Sequence, residues 1–224
     1  MPYPKESLLT ICEEEVSLDI PIEIIPEELC AKGVSSLKER FRQMFPDPHN
    51  VSIVPVMRGG SVIGQELCSV YGQDPNPMRM SYYSSSGVRL PNPVCLYEPK
   101  VDDFYHDGRV KDLVFTEAVV ESQGTIQEAI AVIKRQIDGY AKAHQRSVDY
   151  PDFYLFALVT KTNGSAIING LSQVIVSFDV NRNIWIYGMG CDNNEKGREE
   201  SKIMGVLSPF AQEKPSRPYF QQLF

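Results

Sequence analysis

The residues with the densest chemistry lie at 117–125. Glu117 and Glu121 bracket Ala118, Val119 and Val120, and Ser122, Gln123, Gly124 and Thr125 follow. The segment 112–119 is apolar enough for a strand, and 126–140 carries helical periodicity, so 121–125 is the turn between them. Two hydroxyls and a glycine at a helix start make an anion cradle, because the backbone N–H groups there are unpaired and carry partial positive charge. Carboxylates beside such a cradle can bind ribose hydroxyls, hold Mg²⁺ or take a proton.

Two other turns carry charge in the same way. Residues 51–57 form a near-continuous apolar run, which ends in Arg58, Gly59 and Gly60 before a helix expected from 61 to about 70. Apolar strand, glycine turn and helix are the first half of a parallel βα unit. Residues 153–160 read as a third buried strand, ending at Lys161. In open parallel sheets ligands bind beyond the carboxyl ends of the strands. All three tips fall on that edge.

The remaining elements must hold these tips in place. A short strand is expected at 22–25, between Pro21 and Pro26. A helix follows over 27–44, with Leu29, Val34, Leu37, Phe41 and then Phe45 spaced for one buried face, and Gly33 interrupting its middle. Residues 46–50 are a breaker and 78–83 a strand. Residues 84–110, with Pro91, Pro93 and Pro99, read as a long irregular loop holding one short strand at 94–97. Shorter strands are expected at 174–178 and 184–187. The last part of the chain is polar and rich in turns, with Pro209, Pro215 and Pro218. Alternating strands and helices predict an α/β fold with a mostly parallel twisted sheet flanked by helices.

Composition removes several classes. Net charge is −7 without a block of basic residues, which argues against a nucleic-acid partner. Cys12, Cys30, Cys68, Cys95 and Cys191 are odd in number and widely spaced, so neither a disulfide framework nor a zinc site is expected. The three histidines have no metal-binding spacing with each other. Glu13, Glu14 and Glu15 follow a short apolar run, a pattern unlike a secretory signal, and no apolar run approaches the ~20 residues of a membrane span. A reduced cytoplasmic protein without a membrane partner is the expectation.

Taken together, the motifs resemble those of type I phosphoribosyltransferases, and among them the 6-oxopurine branch that acts on hypoxanthine and guanine. The likeness spans about Val51 to Arg198. Arg58-Gly59-Gly60 resembles the pyrophosphate loop. Ser81-Tyr82 resembles the Ser-Tyr pair of the flexible loop that closes over the site. Residues 117–125 resemble the motif for phosphoribosyl pyrophosphate (PRPP), with departures: Ala118 stands for the second acid, Glu121 for aspartate, Ser122 for threonine and Gln123 for glycine. Trp185 and Ile186, then Asp192 and Arg198, resemble the purine-stacking strand and the metal- and pyrophosphate-binding residues after it. Lys161 matches the lysine that reads the 6-oxo group.

The resemblance implies transfer of the phosphoribosyl group of PRPP to hypoxanthine or guanine, with release of pyrophosphate and with Mg²⁺ as cofactor. Glu121 would be the general base. Arg58, Gly59, Gly60, Ser81, Tyr82, Glu117, Ser122, Gln123, Gly124, Thr125 and Arg198 would bind PRPP. Lys161, Trp185 and Ile186 would bind the base, and Asp192 and Glu117 the metal. It further implies a core at 51–183, a small hood built from parts of 1–50 and 184–224, and a dimeric or tetrameric homo-oligomer. Ala118 and Gln123 point to an alternative: a module of the same fold that binds PRPP or a nucleotide with little or no turnover. A nucleotide hydrolase or phosphorylase would also use acids, a cradle and Mg²⁺.

Overall fold

A computed structural model describes residues 22–83, 88–121, 123–161, 168–180, 184–191, 197, 199–207 and 220–222. The elements come in the order β1 (Ile22–Ile25), α1 (Glu27–Met44), β2 (Val51–Met57), α2 (Ser61–Cys68), β3 (Met78–Tyr83), β4 (Arg89–Tyr97), β5 (Tyr105–His106), β6 (Arg109–Val110), β7 (Asp112–Val120), α3 (Gly124–Ala143), β8 (Phe153–Thr160), β9 (Gln173–Val180), β10 (Ile184–Tyr187), β11 (Ile203–Leu207) and β12 (Phe220–Gln222). A seven-stranded sheet runs β12-β9-β8-β7-β2-β3-β4. Its five inner strands are parallel, and β4 and β12 close the two edges antiparallel. This is the α/β sheet expected, with helices on both faces.

Alternation along the inner strands builds two apolar layers. On β8, Phe156 and Leu158 join Leu37 and Phe41 of α1 in one cluster, while Leu155 and Ala157 face the other way and join Ile126, Ile130 and Ile133 of α3. Phe41, Phe115, Phe156 and Phe178 are among the large side chains that are fully buried, each worth about 1.5–3 kcal/mol of transfer free energy. Gly33, the flaw in α1's sequence, is the close-approach point. A methyl there would sit 2.6 Å from the Phe178 ring, and Ser177 Oγ donates to the Gly33 carbonyl at 3.0 Å.

The loop expected at 84–110 is more ordered than its prolines predict. β4 covers nine residues and contains Pro91 and Pro93. It lies at a sheet edge, where a missing N–H loses no ladder bond, so proline is tolerated. A 3₁₀ turn at Val101–Phe104 and the β5–β6 hairpin fill most of the rest. The polar C-terminal part also yields strands. β11 joins β1 and β10 in a separate three-stranded antiparallel sheet, and β12 caps the main one. No helix among the described residues is long and apolar enough to cross a membrane.

Candidate active site

Parallel pairing puts the ends of β8, β7, β2 and β3 side by side, so the turns that follow them share one edge. The first is the β2–α2 turn at 58–60, entered through a cis peptide between Met57 and Arg58. It is closed by glycine. A methyl on Gly60 would lie 1.8 Å from the Thr116 carbonyl oxygen, and one on Gly59 would lie 2.8 Å from Glu117 Oε2. Thr116, fully buried in β7, donates its hydroxyl to the Gly60 carbonyl at 2.8 Å. Gly64 brings α2 equally close to Pro55. Arg58 is exposed at the rim.

Glu117 therefore lies against the Gly59 backbone. Burial pushes its carboxyl pKa from an ordinary 4.5 up to about 8, and a hydrogen bond from the Ala118 N–H only partly offsets this. At neutral pH it is mostly a neutral acid.

Glu121 leaves the end of β7 and pairs with Lys161, which leaves the end of β8. Lys161 is 9% exposed and its backbone N–H donates to the Val120 carbonyl at 3.0 Å. A lysine at a strand end is ordinarily a surface residue; this one is sunk to its ammonium group and aimed at the carboxylate forty positions before it.

The cradle begins α3. Gln123 has φ −78° and ψ −20°, a right-handed helical conformation that any residue adopts, so replacing glycine there strains nothing. Helix α3 starts at Gly124, two residues earlier than its apolar pattern predicts. Tyr82, from β3, reaches the cradle: a methyl on Gly124 would meet its hydroxyl at 2.6 Å. Thr125 is half-buried in the first turn. Ser81 points its hydroxyl at its own turn, accepting from the Tyr83 N–H and bonding the Tyr83 carbonyl.

β10 carries Trp185 and Ile186, two of the residues expected to bind the base. Ile186 is buried and pairs with Gly205. Trp185 pairs with Val206 through its backbone; its side chain, and Ser122, Asp192 and Arg198, lie outside the described residues. After β10 the chain turns through Gly188, Met189 and Gly190, all with positive φ. A methyl on Gly190 would sit 2.7 Å from the Gly59 carbonyl oxygen. The turn that follows β10 thus rests directly on the Arg58-Gly59-Gly60 turn.

Thr116 and Gly190 are the positioning residues that the sequence reading missed. Thr116 left one signal, a hydroxyl at an inward position of an apolar strand. Gly190 left none beyond its type. Cys30 and Cys68 are buried, and burial pushes both thiols up to about 12, away from the reactive thiolate. Among the described residues, no cluster of three His, Cys, Asp or Glu side chains could hold a metal.

No protein-family model matches the chain, and a search of curated proteins finds no match. Solved structures do match. A hypoxanthine phosphoribosyltransferase of Staphylococcus aureus aligns with a TM-score of 0.59 at 15% identity, covering 84% of this chain and 91% of its own. The hypoxanthine phosphoribosyltransferase of Trypanosoma cruzi gives 0.57 at 14%, covering 83% and 96%. A hypoxanthine-guanine phosphoribosyltransferase of Bacillus anthracis gives 0.54 at 16%, covering 86% and 99%. At these identities the likeness is one of fold, over nearly the whole length of each neighbour.

Proposed function

We propose, from a chain that carries the type I phosphoribosyltransferase fold, that it transfers the phosphoribosyl group of PRPP to a 6-oxopurine. The observation that carries this reading is the pairing of a buried Lys161 with a half-exposed Glu121 at the sheet's carboxyl edge. An acceptor and a donor held together there have a specific complement. A 6-oxopurine offers an N7–H and an O6 on one edge. It can part the pair and satisfy both halves, with N7–H donating to Glu121 and O6 accepting from Lys161. Adenine would present an amino donor to the ammonium group and leave it unpaired, a costly mismatch for a buried lysine.

In this reaction N9 of the base bonds to C1′ of PRPP as the bond from C1′ to the pyrophosphate oxygen breaks. Glu121 takes the N7 proton. Arg58, the backbone of Gly59 and Gly60, and Arg198 hold the departing pyrophosphate. Ser122, Thr125 and the N–H groups of Gln123 and Gly124 hold the 5′-phosphate at the start of α3. Glu117 binds a ribose hydroxyl. Ser81 and Tyr82 close the site against water, Trp185 stacks on the base and the Ile186 backbone meets its edge. β1, β10 and β11 form the hood.

Glu117, mostly protonated at neutral pH, would have to give up its proton before it held a cation. A hard ion held mostly by substrate oxygens needs few protein ligands; Asp192, with Glu117 once ionised, would be the protein's share. Mg²⁺ bound there would neutralise pyrophosphate charge. In this reading the protein works in the cytoplasm as a homo-oligomer. The alternative, a binding module of the same fold, draws on Ala118, which supplies no second ribose ligand.

The test is to incubate the protein with PRPP, Mg²⁺ and a mixture of hypoxanthine, guanine, xanthine, adenine and uracil, and to identify nucleotides by mass spectrometry. Formation of a 6-oxopurine nucleotide is expected. Saturable PRPP binding without any nucleotide product would move the assignment to the binding module.

A further inference from the structure

In the proposed reaction two different elements hold the two halves of PRPP. The Arg58-Gly59-Gly60 turn takes the pyrophosphate. The end of β7 and the start of α3 take the ribose and its 5′-phosphate. The bond that breaks lies between them, so whatever fixes one element against the other bears on the reaction.

The β2–α2 turn is held internally by its own bonds. The Gly60 N–H donates to the Val56 carbonyl at 2.8 Å, Ser61 Oγ to the Arg58 carbonyl at 2.7 Å, and the Gly64 N–H to the Gly60 carbonyl at 2.9 Å. All three run within residues 56–64. They make the turn and the start of α2 one unit without fixing that unit to β7. The β2–β7 ladder does not reach it either. Its last paired residues are Pro55 and Thr116, and Pro55 has no N–H to carry the ladder on. Val56 and Met57 pair on the other side, with β3. Among the described residues, one hydrogen bond then crosses from β7 to the turn: the Thr116 hydroxyl donates to the Gly60 carbonyl at 2.8 Å.

The surroundings are shaped to this hydroxyl. Thr116 is fully buried. A methyl on Gly64 would lie 3.0 Å from its Oγ1, so α2 leaves room for the hydroxyl and little more. The next residue along β7 is Glu117, whose carboxyl lies against Gly59. One step of β7 thus ties the turn to the strand and delivers the carboxyl on the ribose side.

We propose, on the basis of the transferase reading, that Thr116 is a positioning residue that sets the spacing between the Arg58-Gly59-Gly60 turn and the ribose side of the site. A ligand that touches one side alone does not sense this spacing. PRPP touches both, and so does the transition state, in which the same two groups draw apart.

The test is protein-observed NMR titration of the full chain with PRPP and Mg²⁺, with pyrophosphate and with ribose 5-phosphate. Wild type, Thr116→Val and Thr116→Ser are compared. Valine keeps the volume and loses the bond, and the Gly60 carbonyl still accepts from the Gly64 N–H, so no buried acceptor is orphaned. Thr116→Val is expected to weaken PRPP about fivefold or more, the size of one lost hydrogen bond. Pyrophosphate and ribose 5-phosphate should stay within about twofold of wild type. Thr116→Ser should restore PRPP binding. In the nucleotide-forming assay, kcat of Thr116→Val should fall with the KM for the purine unchanged. A purely structural role would weaken all three ligands together. That result, unchanged PRPP affinity in Thr116→Val, or failure of serine to restore it, would overturn the proposal while leaving the transferase reading in place. Wild-type protein that binds none of the three would overturn the transferase reading, and the role of Thr116 with it.

Discussion

The two turns that face each other across the active edge are built on different principles. The β2–α2 turn is a close-packed joint: backbone touches backbone at Gly60 and Thr116, and any side chain at 60 collides with a carbonyl that cannot move. The β7–α3 turn is an ordinary helix start. Gln123 sits in a relaxed conformation, and the nearest obstacle to a side chain at 124 is the tip of Tyr82, which can swing away. A motif's tolerance follows from what surrounds it. The joint keeps its two glycines, and the open start is where this chain departs from the PRPP pattern without strain.

The largest effect should come from chemistry at the open turn. Glu121→Gln removes the proton acceptor and leaves Lys161 without its carboxylate, so kcat is expected to fall by roughly 100-fold or more in the nucleotide-forming assay. A fall of less than about tenfold would remove Glu121 from the general-base role.

Stability should separate the turns next. Gly60→Ala is expected to cost about 3 kcal/mol or more in urea unfolding, because the carbonyl it meets is in the central strand. Gly124→Ala should lie between a loss of about 1 kcal/mol and a slight gain, since alanine favours the helix and Tyr82 can yield. Equal losses at the two positions would end the distinction drawn here.

A third difference is in pH. The unfolded Glu117 loses its proton near 4.5, while the folded one keeps it to about 8. The folded state binds more protons between these values, so its stability is full below 4.5 and declines as pH rises through 8. The decline is of the order of a few kcal/mol. Urea midpoints should fall between pH 5 and pH 8.5 for the wild type and change far less for Glu117→Gln. The smallest effect belongs to Gln123→Gly, expected to change stability by about 1 kcal/mol at most and to leave activity nearly untouched, because no positive φ is required there.

The sequence made the inner sheet legible because fully buried strands must be apolar throughout. The runs at 51–57 and 153–160 match β2 and β8 residue for residue. The edges were harder to read, since an edge strand can contain Pro91 and Pro93, and β11 and β12 are stabilised by partners distant in sequence. At the active edge, the three tips could be placed together from topology alone. Their contacts could not, because Lys161 meeting Glu121 and Gly190 meeting Gly59 depend on side-chain reach and loop paths that leave no periodic trace.

The contact between Gly190 and Gly59 bears on how such proteins could be recombined. Two backbones meet there with no side chain between them, so no repacking can absorb a misfit. A chimaera that took the segment after β10 from another protein would have to bring glycine at this position and the same turn. Otherwise the graft would push the Arg58-Gly59-Gly60 turn out of place, however well its own strands paired.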